Sequence, residues 1–296
     1  MSLCTPFQVG SLHCYLLEGG TQSLDGGAMF GVVPKPLWSK RVTPDERNRI
    51  LLGMRCLLIE HPDGLVLIDT ALGDKEDPKF LDIYAVRNEG HDPGPTRLED
   101  AIRQAGHRSA DVRWVINTHL HFDHAGGNTL KGPDGTTRLA FPNATYVVQQ
   151  RELEFARHTN ERTRASYLPP NFEPVAQAGR WRLLDGEGEI LPGISARLTP
   201  GHVPWHQSLV IRAEGDTAVF LGDVIPTSAH LPLPYIMGYD LEPLRTLESK
   251  RALLDDAVRG GWTFIFEHDP MVATGRVVSD GRKGVDLADQ RVVTPA

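Results

Sequence analysis

Short apolar or β-branched runs punctuated by turn residues recur along most of the chain. Residues 56–60 and 65–69 are two such runs on either side of His61-Pro62-Asp63-Gly64, whose turn chemistry predicts a hairpin. Further runs at 113–117, 145–149, 195–199, 208–212, 218–221 and 263–266 predict strands. Helical periodicity appears at 96–105, where Leu98, Ile102 and Ala105 share a face. It returns at 241–258, where Leu244, Leu247, Ala252, Leu254 and Val258 fall near one stripe with charges opposite. Residues 149–167 are more polar and predict an exposed helical insertion. Strand groups mixed with helices in this way predict an α/β sandwich rather than an all-β fold.

Two segments lack either period. Residues 19–48 hold Asp25-Gly26-Gly27, Gly31 and three prolines together with Met29, Phe30 and Trp38, and read as a long loop arm. Residues 73–95 are similarly irregular. Aromatic residues in the first argue against plain disorder. Exposed on a loop they predict an interface, and with it a homodimer whose arm borders the partner's active site. No internal repeat or low-complexity tract interrupts the chain, which reads as a single domain over residues 1–296.

Composition narrows the function classes. The 296 residues are 40% hydrophobic and 23% charged, with a formal net charge of -7, the profile of a globular protein. Basic residues form only short patches such as Arg282-Lys283, so nucleic acid is not an expected partner. No stretch is long and apolar enough to span a bilayer, and residues 1–10 show no signal-peptide pattern, so no membrane association and a cytoplasmic location are expected. The three cysteines, Cys4, Cys14 and Cys56, are odd in number and widely spaced, which predicts reduced thiols rather than a disulfide framework or a Cys-rich zinc site.

Chemistry concentrates at residues 117–128, Asn-Thr-His-Leu-His-Phe-Asp-His-Ala-Gly-Gly-Asn. His119 and His121 are two apart, so in an extended segment leaving the 113–117 strand they point the same way. Asp123 and His124 follow directly, where Ala125-Gly126-Gly127 can fold them back. Imidazole nitrogen with some carboxylate oxygen suits zinc, and iron, cobalt and manganese also take such sites. Three further candidates each follow an apolar strand through a short turn: His202 after Pro200-Gly201, Asp223 after Gly222 and His268 after Glu267. Strand ends deliver such residues to one rim of a sandwich. His206 is a candidate for orienting a ligand. His13, His61, His91, His107 and His158 lie in turn, loop or helical contexts without a partner of ligand type.

The run His119-Leu120-His121-Phe122-Asp123-His124, followed in order by His202, Asp223 and His268, resembles the metallo-β-lactamase superfamily over residues 57–268. That resemblance implies an αβ/βα sandwich carrying two divalent metal ions, zinc above all. It assigns His119, His121 and His202 to the first metal and Asp123, His124 and His268 to the second, with Asp223 bridging. Asp69 matches the superfamily's recurrent strand-end Asp, which supports the site without being a ligand. Segments 25–38 and 236–244 resemble the branch of quorum-quenching N-acyl-homoserine lactonases, with methyl-parathion-hydrolase-like enzymes as relatives. Several lactonases place a Tyr three residues after the bridging Asp; here Pro226 stands there, so another donor is expected, His230 first and Tyr239 second.

What this implies is hydrolysis of a small lactone or ester, with Asp123 carrying the proton to the leaving alkoxide. Leu231, Leu233, Tyr235, Ile236 and Met237 form an apolar run suited either to an acyl chain or to packing. No G-x-S-x-G nucleophile motif is present. An organophosphate or aryl ester hydrolase and a hydroxyacylglutathione-type thioesterase share the metal set, though the latter usually needs basic groups for the glutathione carboxylates. A nuclease wants a basic channel, and a di-iron redox protein of this fold generally has Glu where His121 stands.

Overall fold

The computed structural model describes residues 2–91, 94–132, 134–282 and 284–294, so Lys283 of the basic patch lies outside the described residues. The chain divides into two compact units. The first holds residues up to Thr21 and Met54–Gly186, the second Gln22–Gly53 and the residues from Glu187 onward.

In the first unit β1 (Cys4–Val9) pairs antiparallel with the long β2 (Leu12–Asp25). Between β2 and the next strand lie two short helices, α1 (Gly26–Phe30) and α2 (Lys35–Trp38), which belong to the second unit. The sheet continues through β3 (Arg49–Glu60), β4 (Leu65–Ile68) and β5 (Val112–Ile116). The ribbon β6 (Thr129–Lys131) and β7 (Thr137–Leu139) stands apart, and β8 (Thr145–Gln149) and β9 (Trp181–Leu184) complete the order β1-β2-β3-β4-β5-β8-β9. β4, β5, β8 and β9 run parallel, and β4 is buried at every position, as a strand covered on both faces must be. Between β4 and β5 lie α3 (Pro78–Ile83) and α4 (Arg97–Gln104). Thr96 caps α4 through the Glu99 N–H, and Leu98, Ala101 and Ile102 pack on the core with Val115 and Tyr146. The irregular segment at 73–95 is thus partly helical.

In the second unit β10 (Gly188–Leu191), β11 (Ile194–Leu198), β12 (Gln207–Ala213), β13 (Asp216–Phe220), β14 (Thr263–Ile265), β15 (Val272–Ser279) and β16 (Val285–Val292) lie in sequence order in one sheet. All its pairs are antiparallel except β13 with β14, which a crossover helix at Pro243–Gly260 makes parallel. That helix presents Thr246, Lys250, Leu253, Leu254 and Ala257 inward, a face that keeps Leu254 of the predicted stripe, and Val258 at its edge, but turns away from Leu244 and Ala252. Leu244 is 76% exposed. The apolar count missed the face because Lys250 is buried on it, its ammonium satisfied by the carbonyls of His230, Pro232 and Tyr235.

Two more expectations are corrected. The 19–48 segment is not a loose arm: it is the end of β2 followed by α1 and α2. Met29, Phe30 and Trp38 are at most 1% exposed and pack with Ile50, Leu52 and Met237, because Asp25 caps α1 and turns its apolar side inward. The patch expected to form an interface is therefore a core, and the arm instead exposes Val32 and Leu37. The 149–167 segment is exposed over residues 157–162, as expected, but only in part helical. Its helix spans only Gln150–Arg157 and buries Glu152, and Tyr167 beyond it is buried too. Cys4, Cys14 and Cys56 carry free thiols.

Candidate metal centre

In the first unit the ligand loop leaves the end of β5. Parallel pairing of β4 with β5 sets Ile68 opposite Ile116, so Asp69 and Asn117 emerge side by side. Asp69 adopts a positive φ of 55°, an uncommon conformation for a residue with a Cβ, and its carboxylate organises the loop. Oδ1 accepts the Thr118 N–H at 2.8 Å; Oδ2 accepts the Thr118 hydroxyl at 2.7 Å and His124 Nδ1 at 3.1 Å. With the Thr118 proton committed to Asp69, Thr118 Oγ1 accepts from His119 Nδ1 at 3.1 Å. Both His119 and His124 thereby carry their proton on Nδ1 and present a bare Nε2. His121 lies 4.5 Å from the His119 ring, and the His119 and His124 rings are 4.0 Å apart. His124 Nε2 faces Asp123 Oδ1 at 3.7 Å. Gly126 and Gly127 are required by backbone approach: a Cβ on Gly127 would sit 2.0 Å from the Thr70 carbonyl oxygen.

In the second unit topology does the same work. Phe220 of β13 pairs in parallel with Ile265 of β14, so Asp223 and His268, each three residues further on, arrive together. β11 runs the same way as β13, both being antiparallel to β12, and delivers His202 to that end. Asp223 directs Oδ2 at His202 Nε2 and Oδ1 at His268 Nε2, each at 3.0 Å. His202 Nδ1 is held by Asp240 at 3.0 Å and His268 Nδ1 by the Gly53 carbonyl at 2.7 Å. His206 Nε2 accepts the Asp223 N–H at 3.0 Å, which puts its proton on Nδ1. From there a single chain of donors runs through Thr199 Oγ1 and Ser208 Oγ to the Leu221 carbonyl. His206 thus orients the bridging candidate. Pro226, which has no N–H to give, lends its carbonyl to the His268 N–H at 3.1 Å.

These contacts test whether the residues suit metal ions. Both imidazoles facing Asp223 have given an Nδ1 proton to an acceptor, so each aims its second nitrogen at a carboxylate oxygen. Such a contact is favourable only with positive charge on the line between them, a proton or a metal ion. Nδ1 partners of carboxylate and backbone carbonyl type are those that metal-bound imidazoles take. The donor set of imidazole and carboxylate fits zinc. All seven expected ligands, His119, His121, Asp123, His124, His202, Asp223 and His268, are among the described side chains able to hold a metal ion. The supporting roles of Asp240 and Gly53 carried no sequence signal: one is a backbone carbonyl, and the acid looks like a surface residue.

His230 is corrected. It is fully buried, its Nε2 donates to the Met29 carbonyl at 2.8 Å, and its Nδ1 accepts the Thr227 hydroxyl at 2.7 Å. The ring stacks on Phe30 at 4.4 Å, so it fastens α1 to the loop after Asp223 and has no nitrogen to give a substrate. Burial first, then the Lys250 ammonium, pushes this imidazole down to about 3, against the opposing pull of the Met29 carbonyl and Asp223. An unfolded His titrates near its ordinary value of about 6.5. Stability from neutral His230 is therefore complete above about 6.5 and drains as pH falls toward 3, at up to about 1.4 kcal/mol per pH unit. Apo-protein carrying His230→Gln should lose this part of the acid slope in urea titrations between pH 4 and 6.5. Parallel slopes for variant and wild type would refute the assignment.

Tyr239 is 39% exposed and directly precedes Asp240, the partner of His202. In the apolar run, Leu231 and Met237 are buried and Leu233 and Tyr235 are partly buried against the cores of this unit, which accounts for them as packing. His61 and His158 make local contacts with the Asp63 N–H and the Glu154 carbonyl, and His107 meets Glu60 of β3 at 2.9 Å.

Residues 55–268 match the family model described as the metallo-beta-lactamase superfamily. Among curated proteins the chain is similar to an N-acyl homoserine lactonase of a Bacillus species, 32% identical over 183 residues, covering 57% of this chain and 62% of that protein. It is also similar to the N-acyl homoserine lactonase AttM of Rhizobium radiobacter, 29% identical over 72% of this chain and 80% of the relative. The chain thus spans less than two thirds of the Bacillus relative's length. Among solved structures, a probable metal-dependent hydrolase from Staphylococcus aureus superposes with a TM-score of 0.85 at 31% identity, covering 97% of this chain and 100% of that one. AidC, a dizinc quorum-quenching lactonase, gives 0.79 at 18% identity, covering 99% and 100%, a likeness of fold.

Proposed function

The chain belongs to the metallo-β-lactamase superfamily, with its mixed α/β fold, and from that premise we propose that it is a dinuclear metal-dependent hydrolase that opens the ring of an N-acyl-homoserine lactone. The single observation that carries the proposal is Asp223, whose two oxygens each face the Nε2 of an imidazole already held at Nδ1. The similarity to N-acyl homoserine lactonases supports the substrate class. In this reading His119, His121 and His202 would hold one ion and Asp123, His124 and His268 the other, with Asp223 shared between them. The donor set makes zinc the natural ion.

Two divalent cations held there would supply a nucleophile at neutral pH, by lowering the pKa of water, and would polarise the carbonyl. The protein's own groups do the rest. Asp223 is held in register by His206 through its backbone N–H. Asp123, buried beside His124, takes up the proton that the attacking water releases and passes it to the leaving alkoxide when the acyl C–O bond breaks. With His230 committed to packing, Tyr239 is the remaining donor for the oxyanion. Tyr239→Phe should lower lactone turnover by ~10–10³-fold while metal content stays unchanged. Wild-type turnover in that variant would remove Tyr239 from the reaction.

The deciding experiment is a hydrolysis panel on the metal-loaded and the chelated protein. It compares acyl-homoserine lactones, simple lactones, aryl esters, a phosphotriester and a glutathione thioester. Lactones should be the best substrates by kcat/KM, and chelation should abolish the activity. A phosphotriester or thioester preferred over every lactone would overturn the substrate assignment.

A further inference from the structure

Glu152 is the first acid of the helix at Gln150–Arg157 and is fully buried, although the sequence around it is polar. Its place follows from the sheet. β5 and β8 are parallel with Ile116 opposite Val147, and the Asn117 N–H bonds the Val147 carbonyl at 3.0 Å. Both chains therefore leave the sheet side by side, one into the ligand loop and the other into this helix. Glu152 Oε1 accepts the N–H of Leu120, the peptide between His119 and His121, at 3.0 Å. The same oxygen accepts the Tyr167 hydroxyl at 2.8 Å. Tyr167 in turn sets its ring edge-on to the His121 imidazole, with centroids 4.6 Å apart. Next to it, the Ser166 carbonyl receives the Phe122 N–H at 2.9 Å.

One carboxylate oxygen thus fixes the backbone between two ligands and the aromatic wall against one of them. His119 has Thr118 to orient its ring, whereas His121 packs on Tyr167. We propose that Glu152, acting through Leu120 and Tyr167, is the positioning residue that holds His121 in its metal-binding orientation. This rests on the reading of His121 as a ligand. The function lies in the acceptor geometry, because the two bonds set where the main chain and the phenol sit. An amide oxygen at the same place keeps both bonds, while an aliphatic side chain keeps neither and leaves the Leu120 N–H buried without its acceptor.

The test measures metal binding to the apo-protein by competition with a chromophoric chelator, and the visible absorption of the cobalt-substituted protein. Glu152→Leu should weaken the affinity for one of two metal equivalents by ~10–100-fold and shift the cobalt bands. Glu152→Gln should stay within a few-fold of wild type with unshifted bands. Tyr167→Phe keeps the ring and loses only the hydroxyl, so it covers the case in which Glu152→Leu does not fold; it should weaken the same equivalent with apo-protein unfolding unchanged. Wild-type affinity and spectrum in Glu152→Leu, or in Tyr167→Phe should the former not fold, would overturn the proposal, as would a loss in Glu152→Gln equal to that in Glu152→Leu. A wild-type protein that binds no metal would instead sink the dinuclear reading itself.

Discussion

Asp223→Asn should yield a protein that folds as well as the wild type yet loses its metals and its hydrolytic activity together. In the metal-free protein the carboxylate faces two imidazoles whose Nδ1 protons are already committed to Asp240 and Gly53. At alkaline pH, where neither imidazole carries a second proton, an amide in its place turns one acceptor–acceptor contact into a donor–acceptor bond, so the apo-protein's urea midpoint there should hold or rise. The negative charge that a bridging ligand must supply is gone. Hydrolysis should fall by at least the ~10²–10³-fold that loss of one electrostatic stabiliser costs. Metal analysis of the purified variant, beside its unfolding midpoint, decides the matter. Two metals per chain in active Asp223→Asn would defeat the assignment of Asp223 as the bridge.

Removing one partner of the Arg55–Glu18 pair should be among the most destabilising single changes in the first unit. The guanidinium meets the carboxylate at 2.7 and 3.2 Å, with the two side chains 0% and 6% exposed. Their strands, β3 and β2, are neighbours in the sheet. A charge that loses its partner at such depth has no water to replace it, and breaking a buried pair costs ~3–5 kcal/mol. Against a typical total of ~5–15 kcal/mol, that is a large fraction. Glu18→Ala should therefore lower the urea midpoint of the apo-protein sharply. Glu18→Leu with Arg55→Met, which removes both charges and keeps volume, should recover most of the loss. A cost below about 1 kcal/mol for Glu18→Ala would show that the pair is solvated in practice.

The sequence by itself picked out the side chains that the structure gathers into groups able to hold a metal ion, and the strands that carry them. Alternating and continuous apolar runs located the strands leading to His119, His202, Asp223 and His268 within a residue or two, because burial on a sheet face demands them. Gly126-Gly127 marked the close backbone turn behind His124, since no other residue fits against Leu72 and Thr70. Tertiary structure alone decided which polar residues are buried and what they serve. Lys250 and Glu152 read as solvated positions on helical faces, yet each is buried against backbone groups of a chain segment distant in sequence. Likewise Met29, Phe30 and Trp38 are apolar whether they form an interface or a core, and only the fold of α1 and α2 sends them inward. His230 illustrates the same limit. Its loop position suggested a free donor, and only its three-dimensional neighbours, Met29 and Thr227, show both nitrogens spent. Periodicity records which side chains avoid water; hydrogen bonds between remote segments leave no period, so their partners emerge only once the chain has folded.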